Sequence, residues 1–297
     1  MNVALPTLLL LGKYGQLGRE LNRTLLPLGK LVVLDIPELD FTQPDKVVQQ
    51  IKSLRPNVII NAVAYTNVDQ AETQHELCDQ INSRTVVAVA RAAAEIQAGF
   101  IHISTDYVFD GNQNRPYVET DPTNPLNYYA QSKLDAETGI QTSGASYWIM
   151  RTAWLYSLTR DDFVRKVLGW SRTKKELKIV DDQVGSPTWA RLLAELITQA
   201  LVGGKADLPQ HIQATQGIYH LVGAGAVSRL DWVKKILELD SQPNEQILER
   251  LLPAKTSEFP TPALRPLRTP LNCAKFEKTF GLRVPAWDEM LALAMEY

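Results

Sequence analysis

Tyr129 and Lys133 stand four residues apart in Tyr129-Ala-Gln-Ser-Lys133, a spacing that on a helix puts both side chains on one face. A lysine at that distance favours the phenolate and lowers a phenol pKa that starts near ~10. Ser104-Thr105-Asp106-Tyr107 closes an apolar run, Gly99-Phe-Ile-His-Ile, so a hydroxyl at the end of that strand can hold a carbonyl oxygen beside the phenol. Thr105, Tyr129 and Lys133 together make a proton relay suited to carbonyl reduction. Tyr128 competes for the role, but its i+4 partner is Ser132, which supplies no charge.

Such a relay needs a nicotinamide cofactor, and Gly12-Lys-Tyr14-Gly15-Gln16-Leu17-Gly18 offers a place for one. Glycines between a strand and a helix allow a tight turn, close approach of backbone N–H groups to a pyrophosphate, and close helix–strand packing. The spacing is GxxGxxG, shifted by one from the usual dinucleotide fingerprint. Asp35 ends the second apolar run, where an acid can accept a hydrogen bond from the adenosine ribose 2′-OH. An acid there disfavours a 2′-phosphate, while Lys13 and Arg19 are close enough in sequence to offset it. NADH and NADPH both remain open.

These residues need a scaffold, and the hydrophobic pattern describes one. Continuous apolar runs at 7–12, 31–35, 57–63, 99–104 and 147–151 read as strands buried on both faces. Helical stretches at 18–26, 44–54 and 78–96 separate them, and Thr42 with Asp45 resembles a capping box. Strand and helix in alternation predict a Rossmann-type α/β fold, a doubly wound parallel sheet. Further strands are expected at 177–180 and 217–222, and helices at 189–202 and 228–239. Pro253, Pro260, Pro262, Pro266 and Pro270 predict an extended loop. The expected division is a nucleotide-binding domain of residues 1–154, with 177–222 returning to the sheet, and a smaller substrate-binding domain of 155–176 and 223–297.

Composition removes several alternatives. With 45% hydrophobic and 22% charged residues the chain can bury a core. A net charge of −2 lacks the electrostatic footprint of a nucleic-acid binder. Cys78 and Cys273 are far apart and in no CxxC spacing, and His75, His102, His211 and His220 are scattered, so no metal site is expected. No apolar stretch reaches membrane-spanning length, and the two cysteines fit a reduced, cytoplasmic setting.

The glycine turn, the strand-end hydroxyl and the Tyr–Lys pair resemble extended short-chain dehydrogenase/reductases. Longer phrases are similar to the dTDP-4-dehydrorhamnose reductase family: Gly15-Gln-Leu-Gly18, Asn61-Ala-Val-Ala-Tyr-Thr-Asn-Val-Asp69, Ser104-Thr-Asp-Tyr-Val-Phe-Asp110, Arg151-Thr-Ala-Trp154, Asp182-Gln-Val-Gly-Ser-Pro-Thr188 and Pro260-Thr-Pro-Ala-Leu-Arg-Pro266. The resemblance implies reduction of the C4 keto group of a dTDP-4-dehydro-L-rhamnose by NADPH or NADH, the last step of dTDP-L-rhamnose synthesis. It assigns Tyr129 as proton donor, Lys133 to the nicotinamide ribose and to tuning Tyr129, and Thr105 to the carbonyl oxygen. Val68, Asp106, Tyr107 and Trp154 would meet the sugar, with Asp40, Phe41, Ala62, Val63 and Ala64 on the cofactor side.

Two positions depart from the family's pattern, Tyr14 in the glycine turn and Val63 where alanine is commoner. Some relatives dimerise through a magnesium ion held by glutamates. Here Arg191 stands near where one such acid is expected, so a monomer or a different homodimer is expected. A regulatory protein resembling the methionine adenosyltransferase β subunit, and an enzyme for another nucleotide-deoxysugar, are the competing readings.

Overall fold

Alternate side chains of a strand point to opposite faces, and the first strand shows what that does here. In β1 (Thr7–Leu11), Leu8 and Leu10 enter one apolar layer while Leu9 and Leu11 enter the other, all four fully buried. β2 (Lys30–Leu34), β3 (Val58–Asn61), β4 (Gly99–Thr105) and β5 (Ser146–Thr152) follow in the chain. With Gly217–His220 at the far edge they form one parallel sheet in the order β2-β1-β3-β4-β5-edge. This is the expected doubly wound, Rossmann-type architecture. The computed structural model describes residues 5–159 and 162–296; of the expected domain ranges, 1–4, 160–161 and 297 lie outside the described residues.

Helices cover both faces. Pro44–Leu54, Thr85–Glu95 and Tyr128–Gln141 close one face through residues such as Ile51, Val89 and Ile140. Gln16–Thr24 and Ala190–Val202 close the other through Leu21, Leu193 and Ile197. The order of strands reverses between β1 and β3, so the crevice above their carboxyl ends is the place where such sheets bind ligands.

Several expectations need correction. The helix expected from 78 begins at His75 and widens into a π turn, Gln80–Arg84, before Thr85–Glu95. Within that turn Asn82 is buried: its Oδ1 accepts the Tyr65 N–H at 2.8 Å and its Nδ2 donates to the Tyr65 carbonyl at 3.0 Å. The first helix starts at Gln16 rather than Gly18, because Gly15 is its N-cap. The capping box at Thr42 is absent. Its N–H and hydroxyl both donate to Asp40, and the helix begins at Pro44 after Gln43, which makes no side-chain cap. Of 177–222, only Gly217–His220 joins the sheet; Glu176–Val180 pairs instead with Arg250–Ala254 in a separate two-stranded sheet.

The proline-rich stretch holds no helix beyond the short 3₁₀ turn Thr256–Glu258. It is tied across the molecule. Asn127 Nδ2 donates to the Leu264 carbonyl at 2.8 Å, and the Arg265 guanidinium bonds Asp69 at 3.0 and 2.8 Å. Among the described residues no helix is long and apolar enough to cross a membrane.

Candidate active site

The glycine turn works by steric exclusion. Gly12 has φ +91, and a Cβ there would lie 2.9 Å from the Ala62 carbonyl carbon and the Val63 nitrogen. A Cβ on Gly18 would fall 1.8 Å from the Gly12 carbonyl oxygen, so both glycines are demanded by packing. Gly15 is different. Its φ is −65, and a Cβ would meet only the Gly12 and Ala62 carbonyl oxygens at 3.5 and 4.0 Å. Nothing in the protein requires a glycine there. It caps the Gln16–Thr24 helix without a side-chain bond, which leaves the first-turn N–H groups turned outward.

Above the carboxyl ends of β1, β3 and β4 lies a cavity of about 530 Å³. Around it stand Gly15, Gln16, Leu17, Ala62, Val63, Ala64, Val68, Thr105, Asp106, Tyr107, Tyr129, Lys133 and Trp154. Gly12 and Gly18 shape the turn behind the wall. Four further expected cofactor residues do not line it. Tyr14 is about half exposed with Lys13 Nζ 4.8 Å over its ring. Asp35 accepts the Tyr14 and Ile36 N–H groups, each at 2.9 Å. Asp40 is occupied with Thr42 and Gln43, and Phe41 is buried in the core beneath, its carbonyl accepting from the Thr85 hydroxyl.

The helix that presents the Tyr–Lys pair, Tyr128–Gln141, is capped by Asn127, whose Oδ1 accepts the Ala130 N–H at 2.9 Å. Tyr128 is turned away, donating to Asp79 at 2.7 Å and stacking on His75. The Tyr129 ring meets Tyr107 edge-on at 6.4 Å. Burial raises the Tyr129 phenol above its ordinary value, and a hydrogen bond with Thr105 offsets only part of this.

That reverses the expected effect of lysine. Lys133 is fully buried, and its Nζ donates to the Ile103 carbonyl at 2.6 Å and lies 3.0 Å from His102 Nε2. Desolvation pulls its pKa down to about 8, and burial of the Tyr129 phenol itself outweighs the lowering a lysine charge was expected to give. Ser104, the neighbouring hydroxyl, donates to Glu137 at 2.5 Å, and Glu137 pairs with Arg151 at 2.6 Å. Thr105 is therefore the hydroxyl that faces Tyr129. Asp106 accepts from Thr269 at 2.5 Å and Thr105 at 3.2 Å, and burial still pushes it up to about 6.

Trp154 ends the wall. Its φ of +42 is an unusual conformation for a bulky residue, and a Cβ on Gly185 would strike its indole at 2.6 Å. Beyond it opens a second cavity of about 670 Å³ among Phe163, Trp170, Lys178, Trp232, Phe259 and Arg265. Trp154, Leu155 and Arg229 border both cavities. The Arg229 guanidinium sits 3.6 Å over the Trp154 ring and pairs with no carboxylate among the described residues, and desolvation lowers its pKa to about 10. Arg265 is paired with Asp69, which stays below its ordinary range as a result. Arg229, Arg265, Asn82 and His102 were not singled out as site residues in the sequence. The Ser-Arg-Leu-Asp start of an amphipathic helix carries no signal that its arginine is unpaired.

A parallel sheet with a glycine turn at its switch point and a Thr–Tyr–Lys cavity above it defines an extended short-chain dehydrogenase/reductase fold. The chain matches the family model described as RmlD substrate binding domain over residues 6–297. It is 39% identical over 288 residues to the dTDP-4-dehydrorhamnose reductase of Escherichia coli K12, covering 95% of this chain and 94% of that one. Among solved structures, a dTDP-4-dehydrorhamnose reductase from Clostridium acetobutylicum superposes with a TM-score of 0.88 at 33% identity, covering 98% of each chain. One from Bacillus anthracis, in complex with NADP, gives 0.86 at 31% identity over 96% of this chain and 97% of that chain. This chain belongs to the dTDP-4-dehydrorhamnose reductase family.

Proposed function

We propose that this protein reduces the C4 keto group of dTDP-4-dehydro-L-rhamnose to the alcohol of dTDP-L-rhamnose with NADPH or NADH. The observation that carries the reading is one cavity in which the Gly15 turn, Thr105, Tyr129 and Lys133 converge. It is reinforced by family relatives that bear the activity in their names over nearly the whole chain.

The residues present suit a dinucleotide. Gly15 lacks a side chain for no internal reason, and the free N–H groups it caps are a ready anion site. Gln16 Oε1 and Thr152 Oγ1 are buried beside the cavity with no partner among the described residues, so polar groups await a ligand there. NAD(P)H when bound supplies the hydride. Gly15, Gln16 and Leu17 would face its diphosphate, Ala62 to Ala64 the adenosine side, and Lys133 the nicotinamide ribose.

Tyr129 is the proton donor. Its raised pKa keeps the phenol protonated at neutral pH, which is the form a donor needs. Thr105 shares the carbonyl oxygen and fixes its position beside the phenol. Asp106, Tyr107 and Trp154 would meet the sugar.

Arg229 stands where the sugar cavity opens into the aromatic one, a cation in no salt bridge among the described residues, with the Asp106 charge near enough to be felt. We assign it to the diphosphate of the sugar nucleotide, with the aromatic cavity taking the base. The test follows nicotinamide absorbance with dTDP-4-dehydro-L-rhamnose made in situ, running NADH and NADPH side by side. Oxidation that requires the sugar is expected with at least one cofactor. Binding of either cofactor without sugar-dependent oxidation overturns the reading in favour of another deoxysugar or a regulatory role.

A further inference from the structure

His102 sits on β4 between the Asn61 amide nitrogen, which only donates, and Lys133 Nζ, which only donates while it is charged. Asn61 Oδ1 accepts the Val63 N–H at 3.0 Å, which fixes the amide and turns Nδ2 toward His102 Nδ1 at 3.2 Å. On the other side Lys133 Nζ lies 3.0 Å from Nε2. A neutral imidazole accepts at one nitrogen and donates from the other, and an ammonium has no lone pair. Asn61 takes the accepting nitrogen, so Nε2 carries the hydrogen and needs an acceptor. A neutral Lys133 amine is that acceptor; a charged one leaves two N–H groups pointed at each other. His102 and Asn61 are both completely buried, so water does not relieve the conflict.

We infer that His102 is a positioning residue that makes Lys133 give up its proton while the cofactor cavity is empty, so that nucleotide binding takes a proton up. The hydrogen-bonded chain starts on the cavity wall at Val63 and returns to it at Ile103. Ribose hydroxyls offered to Lys133 accept from an ammonium and compete with His102 for it. The other groups facing Lys133 are few. Tyr129 and Glu137 lie one turn away on its own helix, Glu137 is held by Arg151 of β5, and Cys78 approaches from the His75–Asp79 helix. Glu137 and Cys78 both favour the ammonium, so they oppose the effect assigned to His102. His102 itself stays neutral, its pKa held well below the ordinary value chiefly by burial.

The inference rests on Lys133 meeting the nicotinamide ribose, and its test is separable from activity. His102→Gln offers a carbonyl oxygen that accepts from an ammonium while its amide group is a separate atom. In the nucleotide-free protein, the Lys133 side-chain signal in ¹³C-lysine NMR, assigned with Lys133→Met, is followed against pH in wild type and His102→Gln. The midpoint is expected to rise by roughly one pH unit or more in the variant, a tenfold tighter hold on the proton. Calorimetric titration of NADPH near pH 8 in two buffers of different ionisation enthalpy is expected to show proton uptake in wild type and little in His102→Gln. Circular dichroism checks that the variant is folded, and His102→Asn serves in its place if it is not. An unmoved midpoint in a folded variant, with proton uptake unchanged, assigns the effect to burial alone and overturns the inference. Absence of binding of both NADPH and NADH to wild type, with the midpoint still moving, overturns the reductase reading and leaves the His102–Lys133 pair standing.

Discussion

Replacing Asp106 with asparagine sets stability against activity. Asp106 is 2% exposed, and burial raises its carboxyl from 3.8 to about 6 despite hydrogen bonds from Thr269 and Thr105. Its folded-state pKa is above its unfolded value, so between about pH 4 and 6 the folded protein holds more protons than the unfolded one. Stability therefore falls as pH rises through that window and stays low above it. About two pH units at 1.36 kcal/mol each make the ionised carboxylate a burden of about 3 kcal/mol at pH 8, shrinking to about 1.5 kcal/mol at pH 5. Asparagine stands in for the protonated acid and can still accept from one threonine. Asp106→Asn is therefore expected to raise the unfolding free energy by an amount near 3 kcal/mol at pH 8 and half that at pH 5. Urea titrations at the two pH values, without ligand, measure this. The same variant is expected to lose about 10–100-fold in kcat/KM for the sugar nucleotide, the range for a deleted charge-assisted hydrogen bond. Equal destabilisation at both pH values would refute the reasoning, because it would mean that the carboxylate is well solvated or that its hydrogen bonds outweigh its burial.

Tyr129→Phe should cut turnover by roughly 10²–10⁴ with the nucleotide Kd unchanged; turnover near wild type would remove the phenol from the proton-donor role. Arg229→Gln should raise KM for the sugar nucleotide by about 10–100-fold and weaken dTDP binding equally, leaving the NADPH Kd unaltered, since a charge-assisted contact carries about 1.5–3 kcal/mol. Isothermal titration with dTDP alone reads this, and an unaltered dTDP Kd would count against the diphosphate assignment. Asp35→Asn removes a negative charge just past β2 while retaining one acceptor for the Tyr14 or Ile36 N–H, and so tests the expected place of the adenosine ribose. The affinity ratio of NADPH to NADH should rise by roughly fivefold to tenfold, as expected for one charge against a phosphate some 7 Å away in water; a constant ratio would place the 2′ position away from Asp35.

What could be read from the chain was what local pattern encodes. The four leucines after Thr7 are apolar at every position because the strand is covered on both faces, and that pattern needs no tertiary knowledge. Gly12 and Gly18 are legible for the same reason, since a backbone that must pass another backbone leaves its mark in composition. The four-residue spacing of Tyr129 and Lys133 survives because a helix has a fixed period. What was lost depends on long-range burial. Lys133 was expected to pull the phenol down, yet it points to Ile103 and His102, contributed by a different strand. Arg229 lies far along the chain from Trp154, and only the folded chain shows that it forms no salt bridge among the described residues. The π turn at Gln80–Arg84 has no sequence period of its own, and the bonds between Asn82 and Tyr65 within it are tertiary. Phe41 was expected beside the cofactor, but an aromatic after a strand fills the core at least as readily.

Asn127 belongs to both banks of the cleft. One end of its amide closes the first turn beneath Tyr129, and the other holds the Leu264 carbonyl in the proline-rich stretch that runs past the sugar side. The two banks are therefore linked by a rod only three bonds long. Any shift of the 260–266 backbone would pull on the residue that sets where the tyrosine helix begins. Losing both bonds costs about 2 kcal/mol, roughly half for the helix cap and half for the second hydrogen bond, small against the stability of the molecule but large against the tolerance of a proton transfer. A cut or insertion in that stretch would blunt the chemistry well before it emptied the pocket.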